Sequence, residues 1–204
     1  RSADFHVHGL NSPDAPVSLV NRVLSFLAEG VDVMVSTDHD YITDYGPTIS
    51  ALGAGEELKH IVGVELTTFD YGHYNAFPLT HNPRSRNGGA WDWAGAEGLG
   101  ATPGEIFAWM RSQEGEQVVM VNHARGGYFS AMKIDLLRGT SAADPTLSRL
   151  PEGSTLWDEG FTAMEVYNGY NLEAFHALYR AWLTLLGRGY KVTATAVSDT
   201  HKLL

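Results

Sequence analysis

The chain has 204 residues, of which 44% are hydrophobic and 19% are charged, so it can bury a sizeable core and lacks the composition of a disordered protein. Its 14 Lys and Arg against 24 Asp and Glu give a formal charge of −10, which argues against a long nucleic acid or an anionic membrane as a partner. The sequence has no cysteine, which excludes disulfides, thiolate metal sites and thiol nucleophiles. Length and composition predict one folded domain over residues 1–204.

The sequence constrains the cellular location and the chain ends less than it constrains the fold. No apolar run approaches the roughly 20 residues of a membrane-spanning helix. An acidic, cysteine-free chain suits the cytoplasm as well as a bacterial periplasmic or secreted setting, and the oligomeric state stays open. Because a strand such as the one before Ser198 normally leads into another helix, we expect the full-length protein to continue past Leu204.

Apolar runs alternate with amphipathic segments along the chain. Runs rich in β-branched residues are predicted as strands, the longer ones buried and parallel, at residues 5–7, 31–35, 61–64, 118–121, 163–166 and 192–197. Between them, residues 20–27 have helical spacing and end at Gly30, whereas residues 172–186 form a second amphipathic segment that ends at Gly187. This order predicts βαβ units and hence an α/β fold with right-handed crossovers.

Local signals mark one more helix and two irregular segments. Thr102, Pro103 and Glu105 predict a helix start, with Thr102 as N-cap, Pro103 at the first helical position and Glu105 completing a capping box. Residues 81–100 and 138–151 have no periodicity, and the first of them is rich in Gly, Asn, Arg and Trp. We interpret residues 81–100 as a functional loop over one end of the fold.

Several of the nine histidines lie at predicted strand ends. His6 and His8 are two residues apart on a strand, so both side chains point to one face and can bind a single cation. Others, with two acidic residues, lie at or just past strand ends: His39, Glu65, His123, Asp199 and His201. Any one of these histidines alone is more often a structural residue. Together they predict a metal site at the C-terminal ends of the strands.

At these positions the sequence resembles the PHP (polymerase and histidinol phosphatase) family of metal-dependent hydrolases. The matching segments are Asp4-Phe5-His6-Val7-His8, Ser36-Thr37-Asp38-His39, Gly63-Val64-Glu65, Val121-Asn122-His123-Ala124-Arg125 and Ser198-Asp199-Thr200-His201. They span nearly the whole chain in the family's order. Two further segments look like the carbaryl-hydrolase-like branch of the family: Gly72-His73-Tyr74-Asn75-Ala76-Phe77-Pro78-Leu79 and Glu165-Val166-Tyr167-Asn168-Gly169.

The resemblance implies a distorted (β/α)7 barrel, similar to a TIM barrel, with two or three divalent metal ions at the C-terminal ends of its strands. By position, it implies one metal held by His6, His8, Glu65 and Asp199. Glu65 would bridge to a second metal held by His73 and His123, and Asp14, His39 and His201 would complete a third. The family often has a histidine where this chain has Asp14.

Such ligands define the chemistry only in part. Imidazole and carboxylate groups suit Zn²⁺, Mn²⁺ or Fe²⁺ and do not select among them. We expect the nucleophile to be a metal-bridging hydroxide and not a side chain. His39 and His201 are candidate proton donors to the leaving group. Arg125 could bind a substrate oxyanion or be a solvated loop arginine. Arg84 and Arg86 could belong to a lid that contacts substrate or to a loop that packs its own tryptophans.

Three functions remain open from the sequence. The first is a phosphoesterase that acts on a small phosphomonoester or phosphodiester, an anionic small-molecule substrate. The second is a metallohydrolase of a carbamate, ester or amide, and the third is a metal-binding module without turnover. Asn122, Asn168 and Asp38 are predicted to orient the ligands by hydrogen bonds.

Overall fold

A computed structural model describes residues 1–95, 100–131, 134–135, 140–141, 156–169 and 171–203. Its strands are β1 (Ala3–Val7), β2 (Val33–Ser36), β3 (Lys59–Val62), β4 (Val64–Thr67), β5 (His73–Phe77), β6 (Val118–Val121), β7 (Ile134–Asp135), β8 (Thr140–Ser141), β9 (Ala163–Asn168) and β10 (Thr193–Val197). The helices are α1 (Leu19–Ala28), α2 (Gly46–Ala51), α3 (Pro103–Arg111), α4 (Tyr128–Ala131) and α5 (Leu172–Gly187), with a 3-10 turn at Arg86–Gly89. The predicted mixed α/β class is confirmed.

Most strands belong to two sheets. The first has the order β1-β2-β3 and the second the order β10-β9-β6-β5-β4, while β7 and β8 form a separate pair. The pairs β1-β2, β2-β3, β6-β9 and β9-β10 are parallel, as the sequence predicts. In the described part of the chain, strand pairing does not continue from one sheet into the next to close a barrel.

The two sheets nevertheless contact each other through isolated bridges and through side-chain packing. One isolated parallel bridge joins Val7 to Thr200, and another joins His39 to Glu65. Side chains from both sheets also meet in one buried cluster: Val35, Phe77, Met120, Ala163 and Val197. The sheets therefore enclose a shared apolar interior, and the C-terminal ends of β1, β2 and β10 lie next to one another.

The segment around Gly63 differs from its prediction. The sequence predicts one strand over residues 61–64, but the structure ends β3 at Val62 and begins β4 at Val64. A Cβ on Gly63 would lie 2.8 Å from the carbonyl oxygens of Ser36 and Ala76, so only glycine fits this close backbone approach. β4 then pairs antiparallel with β5, which in turn pairs antiparallel with β6.

The three helices predicted from spacing and capping are present as α1, α3 and α5, and α5 includes Gly187, the residue predicted to end it, as its last residue. Thr102 is the N-cap of α3: its side chain accepts the Glu105 N–H, and the Glu105 side chain accepts the Thr102 N–H. Gly30, at φ +68°, follows α1 and permits the left-handed turn that ends it. Helices α1 and α2 cover the first sheet through a cluster that includes Val23, Phe26 and Ile49.

The two predicted irregular segments are described in part. Residues 81–95 contain the short turn Arg86–Gly89, residues 96–99 lie outside the described residues, and of residues 138–151 only β8 is described. His60, interpreted from the sequence as lying at a helix end, is in β3 instead. No helix in the described ranges is both long and apolar enough to cross a bilayer.

Candidate metal centre

The structure brings imidazole nitrogens and carboxylate oxygens together where the strands converge. Among the described residues, three groups of side chains each offer ligand atoms within 4.8 Å of one another. They are His6, His8 and Asp199; Glu65, His73 and His123; and His8, His39 and His201. The sequence proposed these eight residues and Asp14 as ligands, and all nine lie in this region.

The first group surrounds one point near the end of β1. Nε2 of His6 lies 3.3 Å from Asp199 Oδ1 and 3.4 Å from Glu65 Oε1. Nε2 of His8 lies 3.2 Å from Asp199 Oδ1 and 3.5 Å from Glu65 Oε2. A tetrahedral site with bonds of about 2.0–2.1 Å separates its ligands by roughly 3.4 Å. The four side chains therefore have the spacing of one coordination shell.

Glu65 belongs to the second group and also lies beside the first. Oε1 of Glu65 lies 3.3 Å from His73 Nδ1 and 3.7 Å from His123 Nε2. Because the same oxygen is also 3.4 Å from His6 Nε2, the carboxylate lies between the two groups. This is the placement required of a carboxylate that bridges two cations.

The third group is closer to solvent. Oδ2 of Asp14 lies 3.4 Å from Nε2 of His39 and 3.4 Å from Nε2 of His201. The two ring nitrogens are themselves 3.4 Å apart. Asp14 is 57% exposed, whereas Glu65 is fully buried, so a cation here would face solvent more than one in the first group.

Two of the nine residues lie on strands that the sequence analysis did not predict. Glu65 is the second residue of β4 and not the end of the preceding strand, and His73 is the first residue of β5. Because β4 and β5 form an antiparallel pair in which Thr67 opposes His73, the start of β5 lies beside the end of β4. An antiparallel strand therefore places its first residue where parallel strands place their last.

Two other ligands, His123 and Asp199, lie in backbone turns with positive φ. His123 and Asp199 follow β6 and β10 and have φ values of +27° and +51°. Non-glycine residues rarely adopt positive φ and are held there by their surroundings. From these turns, Nε2 of His123 lies 3.7 Å from Glu65 Oε1, and Oδ1 of Asp199 lies 3.2 Å from Nε2 of His8.

Most of the ring nitrogens that do not face the centre are engaged by the protein. Nδ1 of His6 lies 2.5 Å from Glu165 Oε1, and Nδ1 of His8 lies 2.9 Å from Ser12 Oγ. Nδ1 of His39 lies 2.6 Å from Thr67 Oγ1 and 2.7 Å from Glu65 Oε2, and Nδ1 of His201 lies 2.9 Å from the Asp199 carbonyl. With the proton at Nδ1, each ring presents an unprotonated Nε2 to the centre, as metal-binding histidines do.

Several atoms that face the centre lack protein partners. Among the described residues, Nε2 of His6, Nε2 of His8 and Nδ1 of His73 are buried without a hydrogen-bond partner, and Oε2 of Glu65 faces ring nitrogens of His8 and His39. Such orphaned groups are costly in a protein interior and call for an unseen partner. Since they combine nitrogen and carboxylate ligands at coordination spacing, the residues fit divalent metal ions.

The charges of the site favour a cation. Burial alone would lower the pKa of His6, but Glu65 and Glu165 raise it well above its ordinary value. Burial would raise the pKa of Glu65, yet His6 and the rings of His123 and His39 hold it well below its ordinary value. The Glu65 carboxylate thus remains ionised, and the field that attracts a proton to His6 also attracts a metal ion.

The three residues predicted to orient ligands make the corresponding contacts. Asn122 donates to Glu65 Oε1 at 2.8 Å, and Asn168 donates to Asp199 Oδ2 at 3.1 Å. Asp38 accepts from the backbone N–H of Gly9 at 2.6 Å and from Ser12 Oγ at 2.8 Å. Ser12 in turn contacts His8.

Arg125 lies beside the centre but is not a free cation. Its Nη2 is 3.2 Å from Oε1 of Glu173, and both side chains are substantially exposed. The two residues line a cleft of about 580 Å³ that also includes His123, Asn168 and Asn171. Arg86 is 84% exposed and lies 3.5 Å from Asp92, so the structure pairs it within its own loop.

Three residues that contact the ligands were not predicted from the sequence as part of the site. Glu165 is a buried strand residue, and Ser12 lies in a loop without a motif. Arg22 is a helix residue whose guanidinium reaches the His8 carbonyl at 2.8 Å. Only Glu165 gave a signal, because a carboxylate within an apolar strand is unusual. Asp4, which shares a face with His6, instead accepts the backbone N–H groups of His6 and Ser198 at 3.2 Å.

Comparison with known proteins supports the fold. No family model matches the chain, and no curated protein matches it. An amidohydrolase from Chromobacterium violaceum, solved with bound sulfate and no metal, matches over 99% of this chain and 88% of its own, with a TM-score of 0.57 and 14% identity. A presumed metal-dependent phosphoesterase from Bifidobacterium adolescentis matches over 98% and 88%, with a TM-score of 0.49 and 18% identity. The chain thus shares the fold of the amidohydrolase.

Proposed function

We propose that this protein is a metal-dependent hydrolase of the PHP type, and that it acts as a phosphoesterase on a small anionic substrate. The observation that carries the proposal is the convergence of eight histidine, glutamate and aspartate side chains at ligand spacing, with buried nitrogens of His6, His8 and His73 that have no hydrogen-bond partner among the described residues. The roles proposed are those implied by the resemblance: His6, His8, Glu65 and Asp199 for one metal, His73 and His123 with Glu65 for a second, and Asp14, His39 and His201 for a third. Zinc, manganese and iron all suit this ligand set.

The finer fold assignment is part of the same proposal. The apolar cluster shared by β2, β5, β6, β9 and β10 has the position of a barrel interior. The bridges Val7–Thr200 and His39–Glu65 connect the two sheets. Both features support a distorted (β/α)7 barrel. In such a barrel, ligands from different strands meet at the C-terminal end.

Different residues of the chain have different proposed roles in hydrolysis. Bound divalent metals would supply a hydroxide nucleophile near neutral pH and neutralise charge that develops on the substrate oxygens. Glu65 holds the first and second groups at a fixed separation. His39 and His201 lie at the solvent-facing edge with Nδ1 bonded to the protein, so Nε2 of either ring is a candidate for relaying a proton to the leaving group when the third site holds no metal.

The cleft beside His123 is the proposed substrate site. Asn168 and Asn171 offer amide groups there, and Arg125 offers a guanidinium that can bind two oxygens of a phosphoryl group. Because Glu173 contacts Arg125, an anionic substrate must compete with this carboxylate. Arg125 would bind substrate and not take part in proton transfer.

A carbonyl-directed hydrolase is the second candidate. The ion pair between Arg125 and Glu173 favours it, because a neutralised arginine leaves less positive charge for a phosphate. The structurally similar protein from C. violaceum is called an amidohydrolase. A carbamate, ester or amide needs charge stabilisation at one oxygen only.

A paired assay separates the candidates. Metal-loaded protein is tested on a panel of phosphomonoesters and phosphodiesters and on a matched panel of carboxyl esters, amides and carbamates, with Arg125→Ala measured on every active substrate. The proposal predicts phosphoester turnover that falls at least tenfold in the variant. Turnover of carbonyl substrates alone, unaffected by the substitution, would support the second candidate. No turnover in either panel by protein that retains its metals would indicate a metal-binding module.

A further inference from the structure

We infer that Glu165 is a positioning residue that holds ligands of the first and second candidate metal groups in place. The inference rests on the proposed metal centre, but not on which substrate the centre hydrolyses. Glu165 lies in β9, is fully buried, and stands behind the ligands without facing the centre itself.

The Glu165 carboxylate contacts the ring of one ligand, the backbone of another and an amide that holds a third. Oε1 of Glu165 lies 2.5 Å from Nδ1 of His6. Oε2 accepts the backbone N–H of His123 at 2.6 Å and the side-chain amide of Asn168 at 2.9 Å. The same Asn168 nitrogen lies 3.1 Å from Asp199 Oδ2. Glu165 therefore connects ligands that come from β1, β6 and the segment after β10.

The contact between Glu165 and His6 determines which ring nitrogen of His6 carries a proton. An ionised carboxylate only accepts hydrogen bonds, so the ring proton must be on Nδ1. In the neutral ring that metal binding requires, Nε2 is then the lone-pair donor. It lies 3.3 Å from Asp199 Oδ1 and 3.4 Å from Glu65 Oε1 and has no hydrogen-bond partner among the described residues. A carboxylate in this position also makes the ring a stronger ligand.

The contact with His123 fixes a backbone that would otherwise relax. His123 has φ +27°, a conformation that a non-glycine residue keeps only when its surroundings hold it. The hydrogen bond from its N–H to Glu165 Oε2 supplies one such restraint. This turn directs the His123 ring toward Glu65, whose Oε1 is 3.7 Å from Nε2.

An amide cannot replace this carboxylate. A glutamine at position 165 has the same size but only one accepting oxygen. If that oxygen accepts from His6, the amide nitrogen faces the donors of His123 and Asn168, and the reverse orientation places a donor against His6 Nδ1. Glu165→Gln therefore removes part of the network without opening a cavity.

The neighbouring residue supplies a control. Met164 is also fully buried in β9, but its side chain points to the opposite face and packs in the main apolar core. Met164→Ala is expected to weaken the core without touching any ligand. It separates lost stability from lost positioning.

The test measures metal binding, not turnover. Metal-free wild-type protein, Glu165→Gln and Met164→Ala are titrated with Co²⁺, and the visible absorption of the bound ion is followed together with the amount retained on equilibrium dialysis. We expect Glu165→Gln to bind the ions of the first and second groups about 10–100-fold more weakly, as for other residues that support metal ligands, and to show an altered cobalt spectrum. Met164→Ala should keep the wild-type affinity and spectrum.

Three results would overturn the inference. They are wild-type affinity and spectrum in Glu165→Gln, an equal loss of affinity in Met164→Ala, and a wild-type protein that binds no cobalt, which would remove the metal centre as well. A wild-type protein that binds cobalt and loses it in Glu165→Gln, but hydrolyses no phosphoester, would leave the inference standing and defeat only the proposed function.

Discussion

Ser12 Oγ lies 2.9 Å from Nδ1 of His8. The same hydroxyl lies 2.8 Å from Asp38 Oδ1 and accepts the backbone N–H of His39 at 3.1 Å. One small side chain thus contacts ligands of the first and the third groups and connects both to a buried carboxylate. An ordered chain of donors and acceptors of this kind fixes the orientation of both histidines.

Removal of the Ser12 hydroxyl should therefore weaken metal binding. Ser12→Ala leaves His8 Nδ1 and the His39 N–H without their acceptor, and we expect a loss of about 10-fold or more in metal affinity. Ser112→Ala, which removes an exposed hydroxyl bonded to the Trp109 carbonyl, is the control. Isothermal titration of the metal-free proteins with Mn²⁺ measures both. Identical affinities in the two variants would show that Ser12 does not hold the ligands.

Arg22 should stabilise the folded chain strongly. Its buried guanidinium donates to the carbonyls of His8, Thr200 and Lys202 at 2.8, 3.2 and 3.3 Å and ties α1 to two ligand-bearing segments. Arg22→Met leaves these carbonyls without their charged donor, so we expect a loss of about 2–4 kcal/mol in the free energy of unfolding.

The control is Arg86→Met, because Arg86 is 84% exposed and its pair with Asp92 is 3.5 Å long. Urea denaturation of the metal-free proteins should show a loss below about 1 kcal/mol for this variant. Similar losses in the two variants would contradict the role assigned to Arg22.

His60 should make stability depend on pH. Burial lowers its pKa to about 4, with Asp44 opposing the shift in part. Because the folded pKa lies below the ordinary value of about 6.5, the stabilising contribution is complete above pH 6.5 and is lost as pH falls toward 4. The loss at pH 5 is about 2 kcal/mol.

A comparison with His60→Gln isolates this effect from other titrating groups. The difference in unfolding free energy between the wild type and the variant should shift by about 2 kcal/mol between pH 7.5 and pH 5. Urea denaturation of both metal-free proteins at the two pH values measures it. A difference that does not change with pH would show that His60 titrates normally.

Glu173 should lower kcat/KM for anionic substrates because it competes with them for Arg125. Its carboxylate is 3.2 Å from the guanidinium, and the exposed pair is worth about 0.2–1 kcal/mol. Glu173→Gln should raise kcat/KM for phosphoesters by about 1.4–5-fold, and leave neutral esters unchanged. Glu56→Gln, with the same charge change before β3 at the opposite end of the strands, is the control. Equal increases in both variants would point to net charge alone.

The sequence predicted the ligands better than the paths by which they reach the site. His6 and His8 were accessible because strand alternation places them on one face, and the capping box of α3 was accessible because it is local. His73 was identified through the family resemblance alone, since its position depends on the antiparallel β4–β5 pair that Gly63 permits.

Contacts across large sequence distances were out of reach. Glu165 meets His6 across 159 positions, and Arg22 meets Thr200 across 178. Neither residue is part of a motif that names its partner. The ion pair of Arg125 with Glu173 was missed for the same reason, and it changes the interpretation of Arg125 from a free cation to one that a substrate must share.

Metal content tests the central claim most directly. Wild-type protein is dialysed against Mn²⁺ or Zn²⁺, freed of unbound metal and analysed by elemental mass spectrometry, together with His8→Ala and the exposed control His176→Ala. The account predicts two or three equivalents in the wild type and in His176→Ala, with at least one lost in His8→Ala. Less than one equivalent in the wild type, or equal content in all three proteins, would contradict it.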